Sequence, residues 1–230
     1  MTKSLSAIAL ILTLAGICQA QERGGVSSKV AAPLIMSILS QAKLSGSLEY
    51  RGQCSDVHDF PDFPKLRIPR NNGSSPLQSL RNIFAGDPEM QVTQDPDGTI
   101  RMVEADVPTD LLNVRVRHIS FAPRRAGDLI HYPTWGLQVI LAEPEVADFV
   151  RSHSIRWQYE PWGLELTLPS SEHISADLDN VTVSQAMDFV LQTFPGLWIY
   201  ENCPSEKGHR GVFFMFYSNS PVWEHLRTEP

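Results

Sequence analysis

The sequence predicts an α+β fold in which one small helix–strand–strand–helix–strand–strand unit occurs twice, its helices packed on a short mixed sheet. Three observations predict it. Two helix-capping signals, at Ser75 and Thr182, stand 107 residues apart. Apolar residues recur at helical spacing after each cap. Short strand-like runs follow at the same separation.

The helices come first in the argument because their signals are sharpest. Ser75-Pro76-Leu77-Gln78 and Thr182-Val183-Ser184-Gln185 each place a hydroxyl residue three positions before Gln, a capping-box start. Pro76 falls at the first helical position, where a missing N–H costs nothing. Leu77, Leu80, Ile83 and Phe84 then mark one apolar stripe, and Val183, Ala186, Met187, Val190, Leu191 and Phe194 the other. Continued without a gap, the spacing sets Met90–Thr93 over Leu197–Tyr200 as strands. Read backwards, it sets Leu34, Leu39 and Ala42 over Leu141, Val146 and Phe149 on an earlier helix. Leu48 and Tyr50 then lie over Ile155 and Trp157 on a strand.

The remaining elements follow in order. Asp95-Pro96-Asp97-Gly98 reads as a hairpin turn with Gly98 at positive φ, and Ile100–Val103 returns. Leu112 to Ile119 alternates as a strand that either closes the first unit or opens the second. In the second unit a longer loop, Asn202 to Gly211, leads into Val212–Tyr217, which is apolar enough to be buried on both faces. The expected boundaries are a signal peptide over 1–20, a flexible N-terminus over 21–30, a first module over 31–121 and a connector over 122–136. A second module over 137–218 and a tail over 219–230 follow.

The first twenty residues indicate export. Lys3 precedes the apolar run Ala7–Ile17, too short to span a bilayer with ease, and Ala20 precedes a polar stretch, so cleavage is expected after Ala20. The alternatives are an uncleaved anchor or a lipid on Cys18, the latter disfavoured by Ile17. A net charge of −7 without a basic patch argues against nucleic-acid binding. The 42% hydrophobic and 20% charged content is that of a globular chain, and no later stretch suits a transmembrane helix.

Removal of the signal leaves Cys54 and Cys203, which in an oxidising compartment form one bond within the chain, a bond between chains, or two separate thiols. Asp56, His58, Asp59 and Asp62 are the densest His/Asp cluster, in a segment that reads as a Pro-rich loop rather than a metal site. No catalytic residue, metal or cofactor is expected. There is no nucleophile elbow and no phosphate loop, although a triad assembled in space leaves no such trace.

The second unit, Asp177-Leu178-Asp179-Asn180-Val181-Thr182-Val183-Ser184-Gln185-Ala186-Met187-Asp188 followed by Leu197-Trp198-Ile199-Tyr200, resembles the short N-terminal domain of secretins and TonB-dependent receptors. The resemblance covers roughly 137–217. It extends more loosely over 31–105, where Asn-Gly-Ser-Ser-Pro replaces Asn-Val-Thr. It implies a periplasmic or secreted envelope protein that is not an enzyme and docks on another envelope protein, such as an outer-membrane or secretion component. Neither barrel nor channel sequence follows in this chain, which leaves binding as the shared property.

Two surfaces are candidates for that docking. One is aromatic: Tyr159, Trp162, Trp198 and Tyr200, with Trp157 read as core because it aligns with Tyr50. The other is a strand edge near Met90–Thr93 or Leu197–Tyr200. The alternative functions are binding of a small ligand or cell-wall glycan by the aromatic set, and an unrecognised hydrolase.

Overall fold

A computed structural model describes residues 28–52, 66, 75–122, 133–157, 173–204 and 210–218. The signal segment, Cys54, the Asp56–Asp62 cluster, Tyr159, Trp162 and the tail lie outside the described residues.

The described chain is α+β. It runs α1 (Ser28–Ala42), β1 (Gly46–Arg51), α2 (Pro76–Ile83), β2 (Met90–Gln94), β3 (Ile100–Glu104) and β4 (Arg115–Ser120). It continues through α3 (Pro133–Leu141), α4 (Pro144–Ser152), β5 (Ile155–Trp157), β6 (Asp177–Thr182), α5 (Val183–Thr193), β7 (Gly196–Pro204) and β8 (Arg210–Ser218).

The caps form as their residues dictate. Thr182 Oγ1 accepts from the Gln185 N–H at 3.2 Å, and the Gln185 side chain accepts from the Thr182 N–H at 2.9 Å. In α2 only half of the box is made. Ser75 Oγ accepts from the Gln78 N–H, but the Gln78 amide turns forward to Asn82 Oδ1 at 3.0 Å. The Asp95–Gly98 turn closes with Gly98 N–H on Asp95 C=O at 2.9 Å and Gly98 at φ +93°.

One six-stranded mixed sheet carries the order β2-β3-β1-β7-β8-β5, and β4 pairs with β6 in a separate antiparallel ribbon. The strand that sequence alone left between the units therefore joins the second half. β2 is antiparallel to β3 and β3 parallel to β1; β7 is antiparallel to β8 and β8 parallel to β5. Parallel pairing of β1 with β7 joins the two sets, from Gly46 opposite Leu197 to Arg51 opposite Asn202. The second set thus keeps the order of the first and reverses every strand direction. Such an operation turns the sheet over.

The two cores accordingly lie on opposite faces. Ile35 and Leu39 of α1 and Leu80 and Ile83 of α2 pack on Leu48, Met102 and Ile199. On the other face Met187 and Val190 of α5, with Leu137 of α3, pack on Trp198, Tyr200 and Phe214. Both layers bury apolar side chains completely, the dominant favourable contribution to folding.

The turnover corrects one expectation and qualifies another. The 107-residue spacing holds through the helices, where Leu80 and Met187, Ile83 and Val190 are all fully buried. It slips by one residue in the next strand: Met90 and Val92 face the first core, whereas Trp198 and Tyr200, not Leu197 and Ile199, face the second. A one-residue slip inverts every side chain in a strand, so the gapless alignment assigned the wrong face. β8 is covered on both faces, though unequally, with Met215 and Tyr217 packed against the first core. Val212, Phe214 and Phe216 are buried, and Phe213, Met215 and Tyr217 are half-buried on the face opposite the second core. Burial pushes the Tyr217 phenol up to about 12.

Candidate interaction surface

Three features bear on recognition: the joint between the halves, and the two outer edges of the sheet.

The joint is an edge-to-edge contact extended by polar links. Gly52 N–H continues the β1·β7 ladder onto Asn202 C=O at 3.1 Å, and Tyr50 Oη donates to Glu201 Oε2 at 3.3 Å. Above the sheet, Arg101 of β3 forms a two-pronged pair with Asp188 of α5, through Nη1 at 2.8 Å and Nη2 at 2.5 Å. Its Nε reaches Asp95 at 2.8 Å, and Trp198 Nε1 donates to Asp188 Oδ1 at 2.9 Å. The paired carboxylates hold the Arg101 guanidinium firmly protonated against the opposing effect of burial. A second set fixes the chain after β3. Tyr200 Oη donates to Pro108 C=O at 2.8 Å, and Arg210 forks onto Asp110.

Glu49 lies beneath the first set, 8% exposed, accepting from Ser47 Oγ at 3.4 Å. Burial pushes its carboxyl up to about 7 from an ordinary 4.5, although Arg101 opposes the shift. A carboxyl raised on folding binds its proton more tightly in the folded state. The resulting destabilisation is absent below pH 4.5, grows through the interval, and is complete above pH 7. Glu49→Gln is therefore expected to match the parent near pH 4.5 and to exceed it at pH 8 by up to about 3 kcal/mol, measured from urea unfolding. A constant difference across that range would refute the shift.

At one end of the sheet, β2 has a free outer side among the described residues. Ala105 N–H bonds Glu89 C=O and Asp95 N–H bonds Thr99 C=O, so the odd-numbered residues turn their backbone inward. Met90, Val92 and Gln94 turn theirs outward. Two of those groups are occupied: Met90 N–H donates to Asp87 C=O, and Val92 C=O accepts from Arg81 Nε at 3.1 Å. At the other end, among the described residues, β5 has β8 on one side only.

The expected site residues separate against this frame. Met90–Thr93 does lie at an edge. Leu197–Tyr200 does not: β7 is held between β1 and β8, the most enclosed position in the sheet. Trp198 and Tyr200 are 0% exposed and belong to the core, so neither offers a surface to a partner. Trp157, read as core, is 37% exposed: among the described residues β5 is the last strand, and the ring meets Phe214 at a tilt, 6.1 Å between centroids. Arg101 and Asp188 carried no signal in sequence, since nothing local pairs residues 87 positions apart. Among the described residues no His, Cys, Asp and Glu group is placed to hold a metal, and no helix is long and apolar enough to cross a membrane.

No family model, curated protein or solved structure matches the chain.

Proposed function

We propose that this is an exported, non-enzymatic envelope protein that works by docking, built from two tandem modules like the short domain of secretins and TonB-dependent receptors. The observation that carries the reading is the β1·β7 joint. Both halves use the same strand pairing, and they associate by placing one sheet edge against another. A unit that joins its neighbour through an edge has the means to recruit a partner strand in the same way. The outward groups of β2 offer the first such edge.

Gln94 tests it. Its N–H points outward, so Gln94→Pro removes an outer donor and leaves the β3 ladder intact, as Pro is tolerated on edge strands with that orientation. In-cell crosslinking of the tagged chain is expected to recover an outer-membrane or secretion component, and the variant to lose it while its circular dichroism stays unchanged. Undiminished capture by the folded variant removes β2 from the interface.

The same reading places a disulfide between Cys54 and Cys203. Cys203 is fully buried on β7, and the Gly52–Asn202 bond brings the chain alongside it two residues before Cys54. Non-reducing peptide mapping of the exported protein is expected to show that one linked pair. Two alkylatable thiols would contradict it.

One observation favours a second reading, a glycan or small-ligand binder: the exposed ring of Trp157. Saturable Trp fluorescence quenching by soluble cell-wall fragments, lost in Trp157→Ala, is its expected signature.

A further inference from the structure

The internal joint contains the instructions for adding another chain. Each joint brings the outer edge of a β1-type strand against that of a β7-type strand. The strand equivalent to β1 in the second half is β5, and the strand equivalent to β7 in the first half is β2. Among the described residues these are the two strands left at the ends of the sheet. The described residues of β5 make no hydrogen bond on their outer side.

On the reading of tandem edge-docking modules given above, we infer that the partner at the β2 edge is a second copy of this chain, which adds its β5 in parallel, in the register of the β1·β7 joint. That register is fixed by the equivalences already described. The joint sets Leu48 against Ile199, Glu49 against Tyr200 and Tyr50 against Glu201. Carried over with the one-residue slip in β7, it sets Ile155 against Gln91, Arg156 against Val92 and Trp157 against Thr93 of the next chain.

Charge supports the pairing. The β2 end carries Asp87 and Glu89; behind them on β3 Glu104 accepts from the Arg51 N–H, its carboxyl held up by partial burial and then by Asp87 and Glu89. The β5 end carries exposed Arg156 and Arg151, the latter already paired with Asp148 at 2.9 Å. Trp157 and Thr93, both exposed in the single chain, would cover one another on the same sheet face. One internal contact opposes addition. Arg81 Nε occupies the Val92 carbonyl and must swing away, which its exposed position permits. At the corresponding place in the second half stands Asp188, which grips Arg101 across the internal joint. Arg81 thus restrains at β2 what Asp188 fastens at β7, a common way of blunting an edge.

The symmetry follows. One joint turns the sheet over, two restore it, so successive chains are related by translation along the sheet. The contact is head-to-tail and open-ended rather than closed.

Paired cysteines test the register. Neighbouring parallel strands hold facing Cα atoms about 5 Å apart, within disulfide range. Full-length Thr93→Cys and Trp157→Cys chains with different tags, mixed and mildly oxidised, are expected to yield a mixed-tag dimer. The double variant is expected to yield a ladder of higher species. Gln94→Cys, on the opposite face, replaces Thr93→Cys as the control and is expected to crosslink at least tenfold less. Sedimentation of the parent should show association that weakens with salt, and Arg81→Ala should associate more strongly than the parent. Absence of the mixed dimer, or equal crosslinking by the control, overturns the inference. If the β2 edge then still captures an envelope protein in a Gln94→Pro-sensitive way, the docking reading survives; if it captures none, both fall.

Discussion

Trp198→Ala is expected to lower stability by about 3–5 kcal/mol, the range for deleting a large aromatic side chain from a packed core. The residue is fully buried on β7, between β1 and β8, and its ring lies under α5 in the second core. Trp198→Phe separates the two contributions. Phe retains most of the buried area but drops the indole donor to Asp188, so about 1–2 kcal/mol of the loss should remain. Urea unfolding followed by far-ultraviolet circular dichroism measures both. The outcome also decides between core and surface. A residue that contacted a partner would abolish capture while leaving the unfolding midpoint in place, whereas the buried Trp198 should move the midpoint first.

That contrast shows what was legible in the sequence. Capping boxes and helical stripes are local, and Thr182 with Gln185 forms the expected reciprocal pair. The Asp95–Gly98 turn is equally local, because Gly98 alone satisfies its positive φ. Strand faces were harder. In a strand only odd or even numbering decides the face, so one extra residue between the buried Val190 and Trp198, relative to Ile83 and Met90, was enough to reverse the roles of Trp198 and Ile199. Position within the sheet was not legible at all. Leu197–Tyr200 and Met90–Thr93 look alike as isolated strands, but the first is enclosed by β1 and the second is left at the end. That difference arises only when the two halves meet. Trp157 shows the converse: it aligns with the buried Tyr50 but is exposed, because among the described residues no further strand lies beside β5.

The Arg101–Asp188 pair should behave as the lock of the joint. The side chains are 19% and 16% exposed, so each charge has lost most of its water and depends on the other. Asp188→Ala is expected to cost about 3 kcal/mol, since it leaves Arg101 with Asp95 and a long bond to Ser47 Oγ, and leaves the Trp198 indole N–H unpaired. Arg101→Ala should cost a similar amount by leaving the Asp188 carboxylate without a countercharge and with the Trp198 indole N–H as its donor. Because both remove the same contact, the double variant should lose less than the two single losses combined by about 2 kcal/mol. Replacing both with apolar residues, Arg101→Met with Asp188→Leu, should recover most of the loss, to within about 2 kcal/mol of the parent, as a buried pair is exchanged for packing while the Trp198 indole N–H stays unpaired. Stability would then be restored without the orientation that the fork imposes on α5 against β3. Hydrogen exchange of β1 and β7 amides distinguishes the two effects. Faster exchange along the β1·β7 ladder in the apolar pair, at unchanged global stability, would show that Arg101 and Asp188 set the register between the halves, and unchanged exchange would assign them to stability alone.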